Sequence, residues 1–332
     1  TGWYIKQLRD REPKIDIRLS DNFIDSVLTD TQMVDLYKRI WFEPKVPKEF
    51  KDMGLDVEVS ALPGHDLLRV QDIMIIGLIH WNDWQRPINF AITVAGQNRL
   101  NLDPHLRMEG MTMRLVPERD LGADGERLAH NLFNVYQFRA ATDPEVYKDD
   151  NTSRLLGNYH ACVLQLAEIY QRQERTSELR DLFVWARETL YNEWDSYYTA
   201  SEYLREIGQL ELGAQFLTEA GLLLLADYGI DEVANYPNLI SVGSILVNDY
   251  AAYDQAERLY RGLIEKIPQR WDAYYELAAT LQAKNDVPAA LELLYQYKAE
   301  HGEVSQLLEA EQVLMNALRH RNAARESTAT QP

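Results

Sequence analysis

Six side chains in the first third of the chain are of the kinds that hold metals or move protons: His65, Asp66, Asp72, His80, Asp83 and His105. A divalent metal needs three or four such donors to converge, and ligand sets usually show short, regular spacing. Here the separations of 6, 8 and 22 residues follow no ligand pattern, and none of the 7 histidines forms a His-x-x-x-His pair. A soluble hydrolase would use His80 and Asp83, but no nucleophile is paired with them. Val242-Gly243-Ser244-Ile245 has one glycine where a nucleophile elbow has two, and Gly208 and Gly213 sit too far apart, inside helical patterns, to cradle a phosphate. Capping, ion pairing and satisfied buried polar groups account for these residues. No catalytic residue, metal or cofactor is assigned.

Two polar residues belong together by position. Asp72 and Arg86 flank apolar elements that should pack on each other, so they are the expected buried ion pair, and losing either would strand the other charge. Trp81 and Trp84, three apart, seal the joint between those elements or offer a stacking platform to a sugar or peptide. Farther on, Trp271, Tyr274 and Tyr275 are candidates for peptide contact in a tyrosine-rich half where most rings must pack helices together.

These residues need elements to position them. Leu67–Val94 holds a near-continuous apolar stretch from Arg69 to His80, which reads as a helix surrounded by protein. Pro87 ends it and Ile88–Val94 follows as a strand, with a second strand at Met111–Val116 after Gly110. Upstream, Pro13, Pro44, Pro47, Gly54, Pro63 and Gly64 punctuate short runs. Asp16–Leu19 and Leu55–Val59 alternate like strands, and Asp21 or Asp30 could cap short helices. Residues 1–122 are thus expected to form an α+β domain.

From about residue 123 to 321 the pattern is amphipathic helices joined by short turns, predicted at 125–139, 154–172, 176–192, 195–208, 210–226, 238–250, 252–266, 271–284, 286–300 and 303–320. A 34-residue offset places Ala256 over Ala290, Tyr260 over Leu294, Tyr250 over Lys284 and Leu263 over Tyr297. That is the tetratricopeptide period, with a small residue in the second helix and Pro268 closing the unit. The expected architecture is an all-α tetratricopeptide-like array of divergent helical pairs, making the chain mainly α. Residues 322–332 lack large apolar residues and should be disordered.

Composition narrows the function. The 332 residues carry a formal charge of −18, with 19 basic and 25 acidic residues up to position 150 and 15 against 27 beyond it. An acidic surface repels nucleic acid and anionic lipid. The apolar runs Ile73–Ile79 and Gly221–Ala226 fall far short of the ~20 residues that cross a bilayer. The single Cys162 lies in a helical pattern and reads as core. Thr1-Gly2-Trp3 offers neither an initiator Met nor a signal-like segment, so the chain reads as an excised or processed piece. Asn151-Thr152-Ser153 is a sequon short enough to arise by chance.

Four ordered blocks carry a family resemblance: Trp3-Tyr4-Ile5-Lys6-Gln7-Leu8; Leu68-Arg69-Val70-Gln71-Asp72; Arg86-Pro87-Ile88-Asn89-Phe90-Ala91-Ile92-Thr93-Val94; and Glu109-Gly110 leading to Arg114-Leu115-Val116-Pro117. Together they resemble the soluble C-terminal region of a bacterial membrane-protein family, long labelled a domain of unknown function, that is similar to transmembrane protein O-mannosyltransferases. The resemblance implies a multi-helix membrane portion ahead of this region, with the catalytic acidic residue there, and tetratricopeptide-like helices closing the chain. It implies an extracytoplasmic accessory region whose partners are the membrane portion of its own parent chain and an acceptor protein or peptide. The alternative is a free-standing, cytoplasmic interaction scaffold with no part in glycosylation.

Overall fold

A computed structural model describes residues 2–11, 20–26, 48–59, 70–143, 145–226 and 232–329. The Asp16–Leu19 strand, the Asp30 cap, Pro44, Pro47, Pro63 and Gly64, the start of the Leu67–Val94 stretch, and His65 and Asp66 lie outside the described residues. The chain divides into two compact units, one holding residues up to Arg139 with Glu145–Ile169, the other Ala140–Pro144 with everything from Tyr170.

The first unit opens with α1 (Gly2–Arg11) and α2 (Asp21–Ser26), tied by Arg9–Asp21 at 2.7 Å and Lys6–Asp25 at 2.6 Å. A single turn, α3 (Lys48–Lys51), precedes α4 (Val70–Asn82). Met74, Ile76 and Ile79 of α4 join Phe50, Leu55, Phe90 and Leu115 in one core. The expectation that α4 be enclosed on every side fails at Leu78 and Trp81, which are one turn apart and more than a third exposed. Nor does Pro87 end the helix. Asp83 and Trp84, both in the left-handed region at φ 45° and 55°, stop it first, and Asn82 Nδ2 donates to Arg86 O across the turn at 2.7 Å.

Three antiparallel strands follow, β1 (Asn89–Ala91), β2 (Leu106–Met108) and β3 (Thr112–Leu115), in the order β1-β3-β2. Leu55, Val57 and Val59 are buried and Asp56 and Glu58 exposed, as the alternation required, yet no ladder forms among the described residues. Side chains serve its main chain instead: Asp56 N–H donates to His105 Nε2, Arg119 to Asp56 O, and Asn101 to Glu58 O. Backbone polar groups on a buried segment need partners, and here the partners are not a strand.

The β2–β3 turn requires Gly110. Its φ is +136°, and a Cβ there would lie 2.3 Å from Tyr136 Oη. That hydroxyl accepts from Met111 N–H at 2.9 Å, and Asn131 Nδ2 donates to Glu109 O at 2.5 Å. Asn131 and Tyr136 belong to a π-turn (Asn131–Val135) and its exit, continuing α5 (Gly125–His130). These bonds hold residues beyond the expected boundary at 122 onto the hairpin, so the first unit reaches into α6 (Asp150–Arg172), where Tyr136 and Phe138 pack edge-on against Tyr159. Cys162 is buried in α6, and burial pushes its thiol up to about 12.

The second unit is a run of helices, each packed on the next: α7 (Thr176–Thr189), α8 (Trp194–Glu206), α9 (Leu210–Ala226), α10 (Glu232–Asn248), α11 (Tyr253–Lys266), α12 (Trp271–Ala283), α13 (Val287–His301) and α14 (Ser305–Ala329). Alternate helices also touch, α9 with α11, α10 with α12 and α12 with α14, which is the arrangement of stacked helical pairs. Helices α10, α12 and α14 therefore form one layer, with α11 and α13 behind them. The 34-residue register is real in space: α11 and α13 start 34 apart, and Ala256 and Ala290 are both fully buried. The register does not hold for the starts of α10 and α12, since α10 begins at Glu232, five residues ahead of the Pro237 that the 34-residue offset places over Trp271. Within α10, Gly243 lets the Tyr260 ring approach to 2.3 Å of where a Cβ would stand. α14 runs to Ala329 and takes in most of the segment expected to be disordered, consistent with the helix-favouring Ala323, Ala324, Arg325 and Glu326.

Candidate functional site

The polar residues that looked most chemical fall into structural places. His105 is buried, with Nδ1 against Val116 O and Nε2 accepting from Asp56 N–H, both at 3.2 Å, so main chain uses both ring nitrogens. His80 packs edge-on against Trp81 with centroids 5.7 Å apart, and no hydrogen bond joins it to exposed Asp83. Asp72 is buried at the start of α4, whereas Arg86 is exposed. Trp84 turns inward and donates its indole N–H to Met53 O at 3.1 Å, which leaves Trp81 as the open member of that pair.

A buried charge cluster forms in the first unit that local sequence does not reveal. β2 and β3 set Arg107 opposite Arg114, a costly like-charge register unless an anion lies nearby. Glu109 is that anion, buried and 2.7 Å from Arg107, 3.6 Å from Arg127 and 3.8 Å from Arg114. The signal was present as alternating charges at 107, 109 and 114 around Gly110, but only the hairpin register gives it meaning.

The second unit holds the better candidate. A groove of about 440 Å³ opens between α12 and α14, lined by Trp271, Tyr275 and Glu276 on one wall and Ala310, Val313 and Leu314 on the other. Helical geometry explains the first wall. Residues 271 and 275 are one turn apart on the same face, and their rings meet edge to face at 6.5 Å and 77°. Tyr274 points the other way. It is only 1% exposed and stacks edge-on against Tyr297 of α13 at 4.9 Å, whereas Tyr275 is 41% exposed. Of the three aromatic candidates of this half, the groove gathers two, and the third belongs to the core.

Among the described residues the charges lining this groove are all acidic: Asp272, Glu276 and Glu309. Asp272 is already served. Arg270 donates to it at 3.1 and 2.8 Å and Tyr236 Oη at 2.5 Å, while the Arg270 guanidinium lies 4.0 Å over the Tyr236 ring. Burial works against the Asp272 charge, but these donors outweigh it and hold the carboxyl below its usual range. Glu276 has no such help among the described residues. Burial, then the charge of Asp272, pushes its carboxyl above the usual range.

A recurrence in the sequence marks this wall. α12 opens Trp271-Asp272-Ala273-Tyr274-Tyr275 and α8 opens Trp194-Asp195-Ser196-Tyr197-Tyr198, 77 residues earlier. The geometry recurs too: Trp194 and Tyr198 meet at 6.3 Å and 74°, and Tyr197, like Tyr274, is buried. A search for a five-residue pattern rather than a 34-residue period would have found it.

Residues 46–131, about a quarter of the chain, match the family model described as TMEM260-associated domain 2. No curated protein matches the chain. Two solved structures are similar at low scores. One is YrrB, a TPR protein described as having an unusual peptide-binding site, with 20% identity over 48% of this chain and 83% of that one and a TM-score of 0.28. The other is a tetratricopeptide repeat protein from Parabacteroides merdae ATCC 43184, with 15% identity over 60% and 80% and a TM-score of 0.24. Scores this low say nothing of function, and the pairwise packing of α8–α14 is what identifies the array.

Proposed function

We propose that this chain is a non-catalytic recognition region in which the helical array holds an extended segment of another protein, and that it works as the extracytoplasmic accessory region of a membrane protein O-glycosyltransferase-like protein. The observation that carries the first half is the groove between α12 and α14, where two aromatic rings stand open beside a half-buried carboxylate. Rigid helices position such a wall well, and aromatic residues with an apolar floor are what peptide grooves use.

The link to glycosylation rests on the match at residues 46–131, which overlaps the blocks from Arg86 to Pro117 that resemble the O-mannosyltransferase-like family. On this reading the first unit docks on the membrane portion of the parent chain, and the array presents an acceptor protein to it. No helix among the described residues is long and apolar enough to cross a membrane. The groove alone would suit a free-standing scaffold equally well, and the family match is what favours the membrane-linked form.

The test is glycan analysis of exported proteins from cells whose parent gene lacks only the segment encoding this chain. Loss of glycosylation on a subset of acceptors, restored by the intact gene but not by one carrying Trp271→Ala and Tyr275→Ala, is the expected outcome. Turnover of a lipid-linked sugar donor by the isolated chain would contradict the non-catalytic role. A coding sequence with no apolar spans of about 20 residues upstream would leave only the scaffold.

A further inference from the structure

We propose that the groove between α12 and α14 selects a basic side chain, Lys or Arg, flanked by apolar residues, with its cation held at Glu276 beside the Trp271–Tyr275 pair. This rests on the reading that the array binds a protein segment, and it names the residue type that the segment must carry.

The argument begins with an imbalance. Asp272 and Glu276 lie one turn apart on the same wall, yet Arg270 and Tyr236 both serve Asp272, while no side chain among the described residues pairs with Glu276. A partly desolvated carboxylate without a partner is unfavourable in the free protein, and a ligand that brings a cation removes that penalty. The upward shift of the Glu276 carboxyl is the mark of the same imbalance.

The neighbours suit a basic side chain in particular. Trp271 and Tyr275 offer ring faces, which attract a guanidinium or ammonium within about 6 Å of the centroid. Ala310, Val313 and Leu314 supply an apolar wall for its methylene stem. Arg270 is engaged at Asp272, and among the described residues no Lys or Arg lines the groove to compete. The surplus of acid beyond residue 150, 27 against 15, steers a basic segment in and an acidic one away. A volume of about 440 Å³ fits one long side chain with its immediate neighbours rather than a folded domain.

The experiment is display of random dodecamer peptides against the full 332-residue chain, followed by anisotropy on the selected peptides as synthetic compounds. Selected peptides should carry Lys or Arg beside apolar residues. Replacing that residue by Gln in the peptide, or Glu276→Gln in the protein, should each weaken binding by about tenfold, and the two together by little more than either alone. Glu276→Lys should turn selection toward Asp and Glu. Peptides that lose binding on Trp271→Ala but ignore their own basic residue and Glu276→Gln would overturn this specificity while leaving the groove. Peptides indifferent to Trp271→Ala and Tyr275→Ala, or no binder at all, would overturn the groove as well. Self-association abolished by Trp271→Ala would assign it to a second copy and also count against the proposal.

Discussion

Gly110→Ala is the sharpest test of how the first unit is held. A side chain at φ +136° is strained by about 1–3 kcal/mol before any clash is considered. The new Cβ would meet Tyr136 Oη at 2.3 Å, so the ring must move and Met111 N–H loses its acceptor. Leaving that donor unsatisfied costs about 1–3 kcal/mol. Together the substitution should remove about 2–6 kcal/mol, which at an m-value of ~2 kcal/mol/M lowers the urea midpoint of this unit by about 1–3 M. Because two units need not unfold together, the readout is native-state hydrogen exchange at amides of β2, β3 and α5. Tyr136→Phe removes the oxygen but leaves the ring carbon 3.2 Å from the new methyl, so the double variant should cost about 1 kcal/mol less than the sum of the singles. A Gly110→Ala protein within ~0.5 kcal/mol of the parent, or strict additivity with Tyr136→Phe, would refute the account.

Glu109→Gln should destabilise the same unit by about 3–5 kcal/mol, since it leaves Arg107 facing Arg114 without their shared anion, and protection of the β2–β3 amides reports it. Asp72→Ala should cost a similar ~3–5 kcal/mol if buried Asp72 pairs with Arg86, and Arg86→Ala less because that residue is exposed; an Arg86→Ala protein as stable as the parent would sink the pairing. Glu276 has its folded-state pKa raised, so its stabilising contribution is complete below its ordinary value of 4.5 and is lost as pH rises through the folded value. Glu276→Gln should therefore be more stable than the parent at pH 7.5, with the gap closing toward pH 4, and a less stable variant at pH 7.5 contradicts the geometry. Cys162, buried and with its thiol pushed up to about 12, should resist iodoacetamide at pH 8 in the native protein and react on unfolding; fast native labelling would show that α6 opens.

Much of the architecture was legible because helices announce themselves over long windows. The 3.6-residue periodicity from Leu210 to Ala226 and the offset of Ala256 on Ala290 needed no tertiary information. What escaped depends on partners far away in sequence. Leu55–Val59 alternates as a strand should, but His105, Asn101 and Arg119 reach its main chain, and no local pattern announces that. The stop of α4 at Asp83 and Trp84 was hidden behind Pro87, the louder signal. Trp271, Tyr274 and Tyr275 were equal candidates by composition, and only the fold sets Trp271 and Tyr275 on the groove and turns Tyr274 into the core, because composition does not say which way a ring points. Glu276 drew no notice, since an unpaired carboxylate looks like any other until its neighbours are known.

The five-residue opening shared by α8 and α12 bears on how long a ligand this array rewards. α9, α10 and α11 lie between them in the chain, so the Trp194–Tyr198 and Trp271–Tyr275 pairs belong to different helical pairs of the array. For a segment long enough to touch both, the second contact forms at the high local concentration set by the first. Avidity of this kind discriminates by the spacing of weak anchors rather than by the strength of one, and it lets a modest groove tell a long unfolded segment from a short peptide of the same composition.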